Sequence, residues 1–108
     1  MRFDAARIRT AAIIGAGTMG HGIAHVCALA GIDVRLVDAI PGAADTGLAK
    51  IRANLDKGVA LGKLTAEVRD GAVARLTAAA SVAAAADGVD LVIEAVPERL
   101  DLKRALFA

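Results

Sequence analysis

Gly15, Gly17 and Gly20 stand at G-x-G-x-x-G spacing in the stretch Gly15-Ala16-Gly17-Thr18-Met19-Gly20. Glycine allows a tight turn at Gly15, close approach of an anion to the backbone at Gly17, and close packing of a helix on a strand at Gly20. The unpaired amides that open a helix, with its positive end, then hold a pyrophosphate without any basic side chain. Asp38 comes 18 residues after Gly20, at the end of the next apolar run. A carboxylate there accepts hydrogen bonds from both hydroxyls of an adenosine ribose. It repels a 2′-phosphate, and the following Ala39, Ile40 and Pro41 provide no arginine to hold one, so the pattern favours NAD over NADP. FAD-binding folds share the glycine pattern.

This chemistry needs a strand that ends at the glycines and a helix that starts there. Thr10 to Ile14 is short, apolar and unalternating, as a central parallel strand buried on both faces would be. From Thr18 onward Met19, Ile23, Val26, Cys27 and Ala30 recur at helical spacing, and Gly31 stops the run. Asp33 to Val37 is the second strand. Pro41-Gly42 turns the chain into a long helix striped by Leu48, Ile51, Leu55 and Val59 and ended by Gly62. Thr65 caps a shorter helix holding Glu67 and Val68, Val73 to Thr77 is a brief third strand, and Ser81 caps the alanine run before Asp87-Gly88. Asp90 to Val96 reads as a further strand buried on both faces. Pro97 opens a last helix with Leu100, Lys103, Leu106 and Phe107, with no stop signal before Ala108, which reads as a cut.

Strands alternating with helices predict an α/β fold: a Rossmann-type parallel sheet, partial, made of the first βαβ half plus the fourth strand, with a helical insertion after strand two. Residues 1–108 are expected to form one incomplete dinucleotide-binding domain. In the strand order 3-2-1-4, strand 90–96 has a bare apolar edge, which predicts a homo-oligomer assembled through that strand.

Composition sets the outer limits. The 108 residues include 13 basic and 12 acidic side chains, a net charge of +1, without the clustered Lys and Arg that nucleic acid or an acidic membrane would require. The hydrophobic fraction of 56% excludes intrinsic disorder, though much of it is alanine. Thr10 to Ile32 lacks charged residues over a length that could span a bilayer, but five glycines and two histidines within it argue for a buried strand and helix instead. The single Cys27 has no disulfide or metal partner and reads as a small core residue of a cytoplasmic protein. His21 and His25, four residues apart, lack a further ligand for a metal and read as helix-surface or packing residues.

The segments Ile13-Ile14-Gly15-Ala16-Gly17-Thr18-Met19-Gly20-His21-Gly22-Ile23-Ala24, Val92-Ile93-Glu94-Ala95-Val96-Pro97-Glu98 and Leu102-Lys103-Arg104-Ala105-Leu106-Phe107 carry a resemblance. The chain resembles, essentially end to end, the N-terminal part of NAD-dependent 3-hydroxyacyl-CoA dehydrogenases. The glycine stretch is shared with neighbouring β-hydroxyacid dehydrogenases, whereas Ile51-Arg52-Ala53-Asn54-Leu55 and Glu94 to Phe107 are more specific. Gulonate dehydrogenases of the lambda-crystallin type and carnitine dehydrogenases are close relatives.

The resemblance implies oxidation of an L-3-hydroxyacyl-CoA to the 3-ketoacyl-CoA, with hydride passing to NAD and a histidine, oriented by a glutamate, taking the hydroxyl proton. That pair lies beyond the segment matched here, so no catalytic residue is assigned, and neither His21 nor His25 matches it. Gly15, Ala16, Gly17, Thr18, Met19, Gly20 and Asp38 are the expected cofactor residues. The resemblance adds Ala95 as a backbone contact at a strand end, and Glu98 and Lys103 near the nicotinamide-side ribose. It also places Asn54, and with it Lys57, on a helix that contacts CoA, while Leu61 stands where such enzymes have a lysine. A free-standing NAD or ADP-ribose sensor, or a purely structural crystallin-like use of the fold, are the readings from other classes.

Overall fold

The computed structural model describes residues 8–96 and 99–104. Strand β1 (Thr10–Ile14) leads into helix α1 (Thr18–Leu29), followed by β2 (Asp33–Val37) and the long helix α2 (Ala43–Ala60). Then come α3 (Ala66–Ala74), β3 (Leu76–Ala78), the one-turn α4 (Val82–Ala86), β4 (Leu91–Val96) and β5 (Arg99–Arg104). The sheet runs β3-β2-β1-β4-β5. Its first four strands are parallel, as expected of a Rossmann-type half, so Ile14, Val37 and Glu94 lie side by side at one carboxyl edge.

Side-chain alternation divides the core in two. Ala11, Ile13, Val34, Leu36, Leu91 and Ile93 face α1, α2 and α3, while Ala12, Val37 and Val92 face α4. On α1 the buried residues are Gly20, Ala24 and Ala28, whereas Met19 and Val26 are exposed. The helix therefore meets the sheet along its smallest side chains, which let the two backbones approach, while Ile23 and Cys27 of the expected apolar stripe are partly buried against the same core. On α2 the expected Leu48, Ile51 and Leu55 are buried. The expected caps form: Thr65 Oγ1 accepts from the Val68 N–H at 3.1 Å, and Ser81 Oγ from the Ala84 N–H at 3.1 Å.

Three expectations change. The third strand is Leu76–Ala78, because α3 continues through Val73 and Ala74 before Arg75 closes it. Residues 99–104, expected in a helix, form an antiparallel strand on β4, with Val92 opposite Lys103 and Val96 opposite Arg99. The open edge of β4 has a row of unpaired backbone donors and acceptors, and Arg-Leu-Asp-Leu-Lys-Arg also reads as a period-two strand. Helical and strand periods compete in this segment, and backbone pairing decides for the strand. The same pairing covers the edge of strand 90–96 through which a homo-oligomer was expected, so that route to self-association is occupied within the chain.

Two polar contacts fix the elements that carry the site. Asp90 Oδ2 accepts from the N–H groups of Arg9 at 2.9 Å and Thr10 at 3.2 Å, tying the start of β4 to that of β1. Arg35 on β2 reaches the carbonyls that close α4, donating to Ala84 at 3.4 Å and to Asp87. This places a cation at the negative end of that helix.

Candidate dinucleotide-binding site

The carboxyl edge of the sheet is where the glycine turn forms. Gly15 has φ +106°, a region L side chains rarely adopt, and its N–H donates to the Val37 carbonyl at 2.8 Å. A Cβ at Gly15 would overlap the Ala95 carbonyl and lie 3.0 Å from its carbon, so β1 ends against the end of β4 with room only for hydrogen. A Cβ at Gly20 would overlap the Gly15 carbonyl, 2.7 Å from its carbon. The first turn of α1 thus rests directly on the turn that precedes it.

Gly17 is different. It is exposed, a Cβ there would meet nothing within 4 Å, and it occupies the N-cap of α1 without any side-chain capping bond. The N–H groups of Thr18, Met19 and Gly20 precede the first helical bond, which His21 N–H makes to the Gly17 carbonyl at 2.9 Å. Open space over uncapped amides at the positive end of a helix is what a phosphate needs.

Asp38 closes the other side of the turn. Its Oδ2 accepts from the Ala16 N–H at 2.7 Å and its Oδ1 from the Ile40 N–H at 2.8 Å. These two bonds, Ala16 foremost, hold the carboxyl below the usual carboxylate range. Each oxygen keeps a further lone pair, so the ionised carboxylate is oriented and still able to accept from a vicinal diol. These residues fit a dinucleotide: Gly17 leaves space for the pyrophosphate, and Asp38 presents acceptors to the ribose.

The structure thus brings together Gly15, Ala16, Gly17, Thr18, Met19, Gly20, Asp38 and Ala95. Lys103 sits on β5 opposite Val92, three strand positions before Ala95, or about 10 Å back from the carboxyl edge at the usual strand rise. Glu98 lies outside the described residues. Asn54 and Lys57 are exposed on α2, in its second half. Leu61, just past that helix, is 60% exposed. His25 is half-buried, and burial together with neighbouring His21 pulls its imidazole below the ordinary value. Burial pushes the Cys27 thiol up, as for an inert core cysteine. Among the described residues there is no group of three His, Cys, Asp or Glu placed to hold a metal, and no helix long and apolar enough to cross a membrane.

Two contributors escape the sequence reading. Gly47 on α2 abuts Ala16, where a Cβ would stand 3.1 Å from the Ala16 carbonyl oxygen, so α2 packs directly behind the turn. His21 Nδ1 is 2.8 Å from the Gly17 carbonyl oxygen; that oxygen only accepts, which makes Nδ1 the protonated nitrogen. The i, i+4 spacing of Gly17 and His21 was the available signal.

A parallel sheet in the order 3-2-1-4, with a glycine turn under a helix N-terminus and an acid at the end of β2, defines a Rossmann-type dinucleotide-binding domain. Residues 10–108 match the family described as 3-hydroxyacyl-CoA dehydrogenase, NAD binding domain. The chain belongs to this family, and its cofactor is NAD. It is 44% identical over 103 residues to a 3-hydroxybutyryl-CoA dehydrogenase of Bradyrhizobium diazoefficiens, covering 95% of this chain and 35% of that protein. It is 46% identical over 101 residues to a 3-hydroxyadipyl-CoA dehydrogenase of Escherichia coli, covering 94% and 21%. The crystal structure of a 3-hydroxybutyryl-CoA dehydrogenase from Escherichia coli superposes with a TM-score of 0.79 at 43% identity, over 86% of this chain and 20% of that one. The chain therefore spans about a third or less of the length of these relatives.

Proposed function

We propose that this chain supplies the dinucleotide-binding part of a cytoplasmic oxidoreductase that converts an L-3-hydroxyacyl-CoA to the 3-ketoacyl-CoA. Within this reading residues 1–108 form the dinucleotide-binding domain, and no residue of the chain is assigned to the hydroxyl proton. NAD, when bound, supplies the hydride acceptor. The chain's own residues bind and orient. The amides of Thr18, Met19 and Gly20 take the pyrophosphate, Gly17 leaves it room, and Asp38 fixes the adenosine ribose and rejects a 2′-phosphate. Glu98 and Lys103 are assigned to the nicotinamide-side ribose, and Asn54 and Lys57 to CoA.

The observation that carries the reading is the oriented, ionised Asp38 carboxylate beside an uncapped, unobstructed helix N-terminus. Calorimetric titration of the chain with NAD, NADP and ADP-ribose tests it. NAD and ADP-ribose should bind with NADP at least about tenfold weaker, equivalent to about 1.4 kcal/mol, and Asp38→Asn should shrink that gap. Equal affinity for NAD and NADP would refute the assignment of Asp38. Titration with CoA tests the other assignment: Lys57→Ala should weaken CoA without touching ADP-ribose, and an unchanged CoA affinity removes Lys57. Exposed Leu61, where these enzymes have a lysine, favours as a second reading a substrate without CoA, as for the related gulonate and carnitine dehydrogenases.

A further inference from the structure

His21 occupies a place that the cofactor chemistry so far described does not use. A helical side chain leans toward the N-terminus and covers the preceding turn, and here that turn is residues 17–20, whose amides face the pyrophosphate. The Gly17 carbonyl accepts twice from His21, from its N–H at 2.9 Å and from Nδ1 at 2.8 Å. The ring is thereby pinned over the first turn of α1 through Nδ1.

We propose that His21 is a positioning residue for the dinucleotide, holding the N-cap turn through Gly17 and taking up a proton when a diphosphate binds, so that affinity for NAD depends on pH. This rests on the dinucleotide reading of the site. A bound diphosphate places two negative charges at the end of α1 that this ring covers, and imidazolium becomes favoured.

Among the described residues, the surrounding charges leave His21 as the group that senses this change. On α1 its titratable neighbour is His25, whose imidazole is already depressed. β1 has no charged residue, β2 has Asp33 at its opposite end, and Arg35 is turned to α4. Glu94 on β4 alternates with Ile93 and so belongs to the α4 face. α2 has Asp45 in its exposed first turn, and its Lys50, Arg52 and Lys57 are exposed. On α3, Glu67 is exposed, Arg69 is engaged by Asp56 and Asp70, and Arg75 donates to the Ala28 carbonyl at the far end of α1. Asp38, at the mouth, is held ionised by its two backbone bonds.

The sign follows from linkage. If binding raises the proton affinity of His21, the dinucleotide binds more tightly as pH falls through the bound-state value, and the gain levels off below the free-state value. A rise of about one unit gives about tenfold. The test uses ADP-ribose and the chain as it stands, between about pH 5.5 and 8, the range of imidazole titration. NMR titration of the imidazole resonances with and without ADP-ribose should show His21 titrating at higher pH when the ligand is present. Calorimetry should show affinity falling by up to about tenfold from the acid to the alkaline end. His21→Gln, which keeps an amide donor for Gly17 but cannot titrate, should bind with a flat pH profile, and His25→Gln should keep the slope. A His21 titration unmoved by ADP-ribose, or a slope that survives in His21→Gln, overturns the inference while leaving the cofactor reading intact. Failure of ADP-ribose to bind at any pH overturns the cofactor reading and this inference with it. The wild-type titration requires no variant to fold.

Discussion

The three glycines of the turn answer to different constraints, and alanine substitution separates them. At Gly15 the added methyl faces two penalties. A residue with a Cβ at positive φ is disfavoured by roughly 1–2 kcal/mol, and the methyl overlaps the Ala95 carbonyl, a backbone group of the sheet that cannot swing away, adding roughly 1–3 kcal/mol of overpacking. Gly20→Ala meets only the second penalty, against the Gly15 carbonyl. Gly17→Ala meets neither: its φ of −67° suits alanine and no atom lies within 4 Å. The remaining loss at an N-cap is roughly 0.5–1 kcal/mol. For a small domain each kcal/mol moves Tm by about 4–8 °C. Melting followed by circular dichroism should therefore show Gly15→Ala falling by about 10 °C or more and Gly20→Ala by several degrees, with Gly17→Ala nearest to wild type. Calorimetry with ADP-ribose should invert the order for the folded variants. Gly17→Ala fills the space over the helix amides and should lose at least about tenfold in affinity, about 1.4 kcal/mol. A Gly20→Ala protein that melts with wild type would refute the packing argument. A Gly17→Ala protein that binds ADP-ribose as wild type would refute the pyrophosphate argument.

Two further outcomes follow from polar contacts away from the turn. Arg35→Ala leaves the carbonyls that close α4 without their cation and should lower stability in urea melts by about 1–3 kcal/mol; no change would mean that water serves them equally well. Asp38 and Asp90 both have carboxyls lowered by backbone N–H bonds, from Ala16 and Ile40 in one case and foremost from Arg9 in the other. A depressed carboxyl contributes stability that is present above its unfolded value, about pH 4, and is lost as pH falls through the folded value. Urea midpoints should therefore be insensitive to these groups at neutral pH and drop below about pH 4, with Asp90→Ala showing a shallower acid loss than wild type. An acid branch identical in that variant would remove Asp90 from the account.

How far the sequence is legible depends on whether a local signal or a distant contact decides. β1 and β2 run from Thr10 to Ile14 and from Asp33 to Val37 as their apolar runs predict, because central parallel strands are buried on both faces and read as continuous. The caps at Thr65 and Ser81 are local hydrogen bonds and are equally visible. The buried face of α1 is not, since periodicity counts Met19 and Val26 as apolar but cannot say that Gly20, Ala24 and Ala28 allow the closer approach. Residues 99–104 satisfy both a helical and a strand pattern, and the edge of β4 that decides between them is a tertiary feature. Within the site, the placing of the three glycines at the turn and of Asp38 at the end of β2 is legible from spacing. The need for hydrogen at Gly15 comes from Ala95, 80 residues away in sequence, and no spacing rule contains it.

That last contact explains how a nearly neutral, alanine-rich chain can build an anion site. The helix that presents the amides must have its first turn at the sheet edge, and two of the three glycines serve this packing: Gly15 lets β1 end against β4, and Gly20 lets α1 rest on Gly15. Ala24 and Ala28 continue the same close approach along the helix, where larger side chains would lift it from the sheet. Asp38 then ties the turn to the end of β2 through the Ala16 N–H while retaining acceptor capacity for a ribose. Only Gly17 remains unconstrained by the protein itself, with open space above it and no cap beneath it. Packing accounts for the glycines that face protein; for the one that faces nothing, the proposed pyrophosphate contact supplies the reason, and the Gly17→Ala titration decides it.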